Sequence, residues 1–266
     1  MKKAFIWTDR AGGILCFTSL KPLSYKENKF EKNYPELLKF LRTVPPENYY
    51  ARQIHGKRVL LAGRSGTKIR RPADGFAAFS PGCMLLIFTA DCLPVFIYDG
   101  AKGHTAITHC GWKGAYKEIA ANAVRKLRKR GSASRDLKVI LGPCIRECCY
   151  EVDAPFIKRF AGKYGKTGLY RKKGKNYFSL ADIVKLQLKK LGIPARNIKD
   201  TKECTCCQPE RYFSYRRDGK GTGRMVSGIM IEARKDGGTE EQKDGRTEGQ
   251  KYGSTEGQRN GKSNRL

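Results

Sequence analysis

Strand-length apolar segments recur along the chain. AFIWT (4–8), ILCFTS (14–19), RVLLAG (58–63), MLLIFTA (84–90), PVFIYD (94–99), HTAITH (104–109), LKVILG (137–142) and MVSGIMIEA (225–233) have the length and the β-branched or aromatic content of strands. Three segments carry the helical period instead. One covers residues 31–41. A second covers 115–130, with Tyr116, Ile119, Ala120, Ala123, Val124 and Leu127 on one face. The third runs over 180–191, with Ser179 as N-cap, Asp182 at the third helical position, and Gly192 and Pro194 as stop signals. Strands outnumber helices and often follow one another directly. That predicts a mixed α/β (α+β) fold in which mixed sheets form a sandwich-like core flanked by helices, rather than a clean βαβ alternation. No linker interrupts 1–235, which reads as one catalytic-sized domain.

The pattern changes at residue 236. DGGTEEQK, DGRTEGQK, YGSTEGQR and NGKSNRL form an eight-residue repeat with almost no apolar positions. Such a segment gains too little burial to offset its ordering entropy, so 236–266 is expected to be a disordered low-complexity tail. The tail carries six basic and six acidic residues, so the formal net charge of +29 belongs to 1–235. That field attracts polyanions and small anionic ligands. Nucleic acid is one such partner, but no aromatic RNA-binding signature or zinc-finger spacing supports it, and solvated basic faces are the preferred reading. No apolar run is long enough to span a bilayer, and the opening MKKAFIWTDRAGG breaks at Thr8-Asp9-Arg10, so no membrane segment or export signal is read and a cytoplasmic protein is expected. Ten cysteines then argue for thiols, metal ligands or core packing rather than a disulfide framework.

Three strand ends each offer a metal-type ligand: His55 in RQIHGKRV, Cys92 in FTADCLPVF beside Asp91, and His109 in ITHCGWKG. Two imidazoles and a thiolate suit zinc, and three protein ligands leave a position open for water or substrate. The same donors describe a blue-copper site. A chain with three histidines, however, cannot build a multicopper set, so copper is the less favoured metal. Cys92 as a nucleophile with a histidine base is a further possibility. His104 lies at an odd offset from His109 on one strand and so faces the other way. Gly111 and Gly114 let backbone approach a ligand closely, and Lys113 with the following helix start would form an anion site. Cys144, Cys148 and Cys149, then Cys204, Cys206 and Cys207, form two clusters that could hold a second metal or an iron–sulfur centre, with core packing as the ordinary use. Arg216, Arg217 and Arg224 could bind phosphate.

The segments QIHG, ADGF, TADCLPV, HCGWKG, LGPCI, CCYEV and FSYRRDG followed by GTGRM occur in order over about 50–231. Together they resemble the laccase-domain family, also called multicopper polyphenol oxidoreductases or peptidoglycan editing factors. The resemblance implies a zinc held by His55, Cys92 and His109, and a fold distantly similar to bacterial cytotoxic-factor deamidases. It also implies phosphorolysis of adenosine, inosine and methylthioadenosine to base and ribose 1-phosphate, with adenosine deamination in some members and polyphenol oxidation as an older assignment. Purine nucleosides and phosphate are the implied ligands. Asp91 and Asp74 are the acid–base candidates by chain position. The chain departs from the family pattern in three respects: Leu20 stands where arginine is usual, the glycine-rich turn and NLG of the N-terminal part are missing, and Lys113 replaces the arginine of GWRG. Lysine offers a point charge where arginine offers a fork.

Overall fold

The computed structural model describes residues 5–232 apart from 12, 26–28, 46 and 64–70. The expected low-complexity tail over 236–266 lies outside the described residues. The elements follow in the order β1 (Phe5–Ala11), β2 (Ile14–Ser19), α1 (Lys29–Leu41), β3 (Glu47–Tyr49), β4 (Val59–Leu61), β5 (Gly75–Ala78), β6 (Cys83–Thr89), β7 (Leu93–Asp99), β8 (His104–Cys110), α2 (Trp112–Tyr116) and α3 (Ile119–Lys129). Then come β9 (Lys138–Leu141), β10 (Glu151–Val152), α4 (Ala154–Tyr164), β11 (Leu169–Lys172), β12 (Lys175–Phe178), α5 (Leu180–Lys190), β13 (Ile198–Asp200), α6 (Tyr215–Asp218) and β14 (Met225–Ile231).

Strands β2, β6, β7, β8 and β14 are buried at almost every position because both of their faces are covered. In β2, Ile14 and Cys16 enter one apolar cluster while Leu15 and Phe17 enter another. In β7, Leu93, Val95 and Ile97 pack to one side and Phe96 and Tyr98 to the other. This period of two builds four layers. A five-stranded sheet of order β1-β2-β14-β6-β3 faces a six-stranded sheet of order β13-β9-β7-β8-β5-β4. Ile14, Leu85, Ile229, Phe76, Phe96 and Ile107 fill the space between them. Phe30, Tyr34 and Leu37 of α1 cover the outer face of the first sheet. Helices α3, α4 and α5 cover the outer face of the second. A small sheet of order β10-β12-β11 lies apart from both. The architecture is thus the expected mixed α/β sandwich with helices outside. Among the described residues no helix is long and apolar enough to cross a membrane.

Helix α5 begins and ends on the expected signals. Ser179 Oγ accepts from the Asp182 N–H at 3.3 Å, and Gly192 takes a φ of 80° just beyond the end. The helix expected over 115–130 is instead two, α2 and α3, separated at Glu118, whose φ is 60°. The break frees carbonyls that other elements satisfy. Gln187 Nε2 donates to the Ala115 carbonyl at 2.8 Å, and Lys163 Nζ donates to that of Tyr116 at 2.8 Å. Helix α4 was not read from the sequence, although its signal is present. Asp153 caps the Phe156 N–H at 2.8 Å, Pro155 stands in the first turn, and Phe156, Phe160 and Tyr164 form its apolar stripe.

The site is placed by the crossover between the two sheets. The ladder of the first sheet ends at Thr89 in β6, and that of the second resumes at Leu93 in β7. The turn between them carries Asp91, at a φ of 92°, and Cys92. A non-glycine residue at such a φ is strained, and strain of this kind concentrates at functional sites.

Candidate active site

Three chain segments converge at this crossover. Cys92 sits at the entry to β7, His109 near the end of its antiparallel neighbour β8, and His55 in the loop between β3 and β4. The candidate ligand atoms of His55, Cys92 and His109 all lie within 4.8 Å of one another. Cys92 Sγ is 3.9 Å from His55 Nε2, and the two imidazole rings meet edge to face with centroids 4.7 Å apart. The backbone of Gly111 closes on this group. A Cβ there would lie 2.9 Å from both Cys92 Sγ and His55 Cδ2, so only glycine fits at this close approach.

Asp74 organises the cluster from beneath. It is fully buried just before β5 and accepts the N–H groups of Ile54, His55 and Gly56 at 3.2, 2.8 and 2.7 Å. Those bonds hold the loop while His55 takes a φ of 56°. The same carboxylate meets His109 Nδ1 at 2.9 Å, and the His109 N–H donates to the Asp74 carbonyl at 2.7 Å. With Nδ1 engaged, Nε2 is the nitrogen available to a metal. Burial pushes the Asp74 carboxyl up, but the His109 bond and the loop N–H groups outweigh it and hold it below its ordinary value. Burial likewise opposes ionisation of the Cys92 thiol, yet the His109 and His55 imidazoles bring it well down. The His109 imidazolium is favoured in turn by Cys92 and Asp74 against its burial. Cys92 and His109 therefore form a thiolate–imidazolium pair, and a metal bound at Nε2 would displace the ring proton. Cys110, on the other face of β8, is buried among apolar side chains, and that burial drives its thiol the opposite way.

Asp74→Asn is expected to weaken metal binding by roughly 10–100-fold, because it exchanges an acceptor for a donor facing an N–H group. A competition titration against a chromophoric chelator measures this. Wild-type affinity in the variant would remove Asp74 from the metal site.

The three donors stand in a cleft of about 1270 Å³. Aromatic side chains dominate its walls, among them Phe30, Tyr50, Phe88, Trp112, Tyr150 and Tyr215. Arg52, Arg216 and Arg224 supply its positive charge, and Glu31 and Asp91 its carboxylates. Arg216 is fixed in several ways. Its N–H donates to Asp91 Oδ2 at 2.6 Å, Nη1 donates to the carbonyl of Glu151 at 2.9 Å, and the guanidinium lies 5.1 Å from the Tyr150 ring centre. The second oxygen of Asp91 accepts from Thr205 Oγ1 at 2.6 Å.

Against known proteins, residues 7–232 match the family model described as multi-copper polyphenol oxidoreductase laccase. The chain belongs to this family. A purine nucleoside phosphorylase of Bacteroides thetaiotaomicron is 29% identical over 248 residues, covering 85% of this chain and 90% of that protein. One from Clostridium acetobutylicum is 34% identical over 185 residues, covering 68% and 75%. A protein named adenosine deaminase RL5, from an unknown prokaryotic organism, is 30% identical over 160 residues and is spanned over 61% of its length. The solved Bacillus licheniformis hypothetical protein YfiH superposes with a TM-score of 0.77 at 25% identity, covering 87% of this chain and 98% of that one. These names support an enzyme.

Of the residues expected to form the site of this laccase-family chain, His55, Cys92, His109, Asp91 and Arg216 line the cleft. Asp74 does not. Its carboxylate bonds the 54–56 loop and His109, so it positions rather than faces substrate. Gly111 and Gly114 pack against Cys92 and the His109 carbonyl. Lys113 is exposed, with Nζ 5.5 Å from the Trp112 ring centre, and is not among the residues lining the cleft, and the helix after Gly111 is the five-residue α2. Arg217 is spent on the carbonyls of Thr205, Cys206 and Tyr212 and on Asp218, which makes it a loop clamp. His104 turns away to Ser132 Oγ at 3.0 Å. Sequence reasoning missed Arg52, three residues before His55, and Tyr150, within CCYEV. Both stand inside quoted motifs, but their side chains carry no signal of direction until the loops fold.

Proposed function

We propose that this chain is a purine nucleoside phosphorylase, acting on adenosine, inosine or methylthioadenosine at a zinc held by His55, Cys92 and His109. The observation that carries the reading is the position of that donor set. Three mutually close ligands, one of them a favoured thiolate, stand in a cleft with aromatic walls and three arginines. The relatives named as phosphorylases have the same reaction in their names. The residues fit zinc by donor type, by the Asp74 bond that orients His109, and by the clearance that Gly111 leaves. Zinc bound there would act as a Lewis acid toward the nucleoside or the phosphate. Copper fits less well, because the chain has only three histidines and His104 is engaged elsewhere.

The remaining work falls to the protein. The aromatic walls stack the purine and exclude water. Arg216, its plane set by the Glu151 carbonyl and by Tyr150, holds the phosphate dianion, with Arg52 and Arg224 adding charge. A phosphate oxygen so placed attacks the anomeric carbon as the bond to the purine nitrogen breaks, and the proton of the hydrogenphosphate passes to the departing purine, giving the free base with ribose 1-phosphate, or with 5-methylthioribose 1-phosphate from methylthioadenosine. Asp91 keeps Arg216 and Thr205 in register, since both of its oxygens already accept bonds. Adenosine deamination is a secondary activity of the same pocket, as the name of the deaminase relative suggests.

Base release from adenosine and inosine should require phosphate and should fall to background in His55→Ala, which should also hold less zinc. Base release that is equal without phosphate, or wild-type protein that neither holds zinc nor releases base, would defeat the reading. A second reading follows from the Cys92, His109 and Asp74 alignment, which resembles a thiolate nucleophile with an oriented base. It predicts amide chemistry that survives metal removal and is stopped by alkylation of Cys92.

A further inference from the structure

Four other cysteines meet outside the cleft. The sulfurs of Cys148, Cys149, Cys204 and Cys207 all lie within 4.8 Å of one another. Cys207 Sγ is 3.5 Å from that of Cys148 and 3.3 Å from that of Cys149. All four are free thiols: Cys148 and Cys207 are exposed, Cys149 is half-buried and Cys204 is buried. They come from two turns that the backbone binds together. Cys144 and Cys204 form a parallel bridge, the Cys144 N–H donates to the Glu203 carbonyl at 3.3 Å, and the Thr205 N–H donates to the Cys144 carbonyl at 3.1 Å.

We propose that Cys148, Cys149, Cys204 and Cys207 hold a structural Zn²⁺ as a tetrathiolate, separate from the His55–Cys92–His109 site. A tetrahedral zinc with bonds of about 2.3 Å sets its sulfurs about 3.8 Å apart, and the four sulfurs here lie within 4.8 Å of one another, with two pairs at 3.5 and 3.3 Å. Four sulfur donors close the coordination sphere, which is the structural rather than the catalytic arrangement. Iron–sulfur clusters distribute their thiolates over several irons and need them further apart, so a single ion fits this group better. Cys144, buried in the core, and Cys206 stand outside the group. The ion would tie the turn before β10 to the turn before α6. Those turns anchor the arginine wall of the cleft. Arg216 Nη1 donates to the Cys149 carbonyl at 3.4 Å, Arg217 Nη1 donates to that of Cys206 at 3.1 Å, and Thr205 carries the bond to Asp91.

Metal analysis and zinc X-ray absorption on the full chain, purified anaerobically in reductant without added metal, test this. The variant carrying both His55→Ala and Cys92→Ser should keep one equivalent of zinc, with four sulfur neighbours at about 2.3 Å. Adding Cys148→Ser and Cys207→Ser should remove it. If the cleft reading fails, wild type and the double variant should both hold this one sulfur-bound equivalent, so the two ideas fail separately. A double variant without metal, nitrogen or oxygen neighbours on its zinc, stoichiometric iron with acid-labile sulfide, or a Cys149–Cys207 disulfide in the anaerobic wild type would each overturn the proposal. The absorption measurement uses protein with all four cysteines, so it stands even if the serine variants do not fold.

Discussion

His109→Ala is expected to cost roughly a thousandfold in kcat/KM for phosphorolysis and to empty the metal site of the cleft. The side chain has two jobs. Its Nε2 completes the donor set with His55 and Cys92, and its Nδ1 covers a carboxylate that is wholly buried. Loss of Lewis-acid assistance is worth several kcal/mol, and each 1.36 kcal/mol is tenfold in rate. Leaving Asp74 without its charged partner adds a folding cost, on the order of 3 kcal/mol and moderated by the three N–H groups that still reach it. Zinc content, phosphate-dependent base release and chemical denaturation read the three effects separately. His104→Ala is the control. It removes a histidine from the same strand, but one bonded to Ser132, so metal in the cleft and turnover should persist. Full turnover in His109→Ala, or equal losses in both variants, would dismiss the proposed site.

The second large effect is on stability. Arg146→Met is expected to destabilise the fold by about 3 kcal/mol at neutral pH. Arg146 and Asp200 form a bidentate pair whose side chains are 9% and 6% exposed, and Arg146 Nε reaches the Glu203 carbonyl at 3.4 Å. Burial pushes the Asp200 carboxyl up, but Arg146 and Lys185 prevail and pull it down from 3.8 to about 2. A depressed folded-state value means stability that is present above the unfolded value and lost as pH falls through the folded one. The shift corresponds to about 2 kcal/mol, so the gap between wild type and variant should narrow as pH drops from 3.8 toward 2. Denaturation at pH 7 and at pH 3 checks both parts. A variant as stable as wild type at both values would show that the pair contributes nothing net.

Much of the fold was legible because burial on two faces leaves a strong mark. β2, β6, β7, β8 and β14 read directly as strands, since a strand covered on both sides tolerates few polar residues. Short or half-exposed strands such as β3, β10 and β13 left no such mark, and α4, which buries only Phe160 and Tyr164, leaves a weak one. The split at Glu118 could not be read. The amphipathic period of Ile119, Ala123 and Leu127 runs on from Tyr116, and the break depends on Gln187 and Lys163 arriving from other elements.

The site divides the same way. Residue types and short motifs were enough to single out His55, Cys92 and His109 and the glycine after HC, because metal donors and a forced close approach restrict composition locally. Separations of 37 (55 to 92) and 17 (92 to 109) residues could not prove that the three meet. Pairing of Pro94 with His109 in β7–β8 and the Asp74 bonds to the 54–56 loop decide that. Tertiary structure also reassigned charge: Lys113 and Arg217 went to solvent and to loop carbonyls, while Arg52 and Arg216 were turned into the cleft. It chose four of six clustered cysteines to face one another. Composition and period determine which residues must be buried and which chemistry is available. Which polar atoms then meet is decided by long-range pairings, whose partners lie tens of residues apart and leave no local trace in the chain.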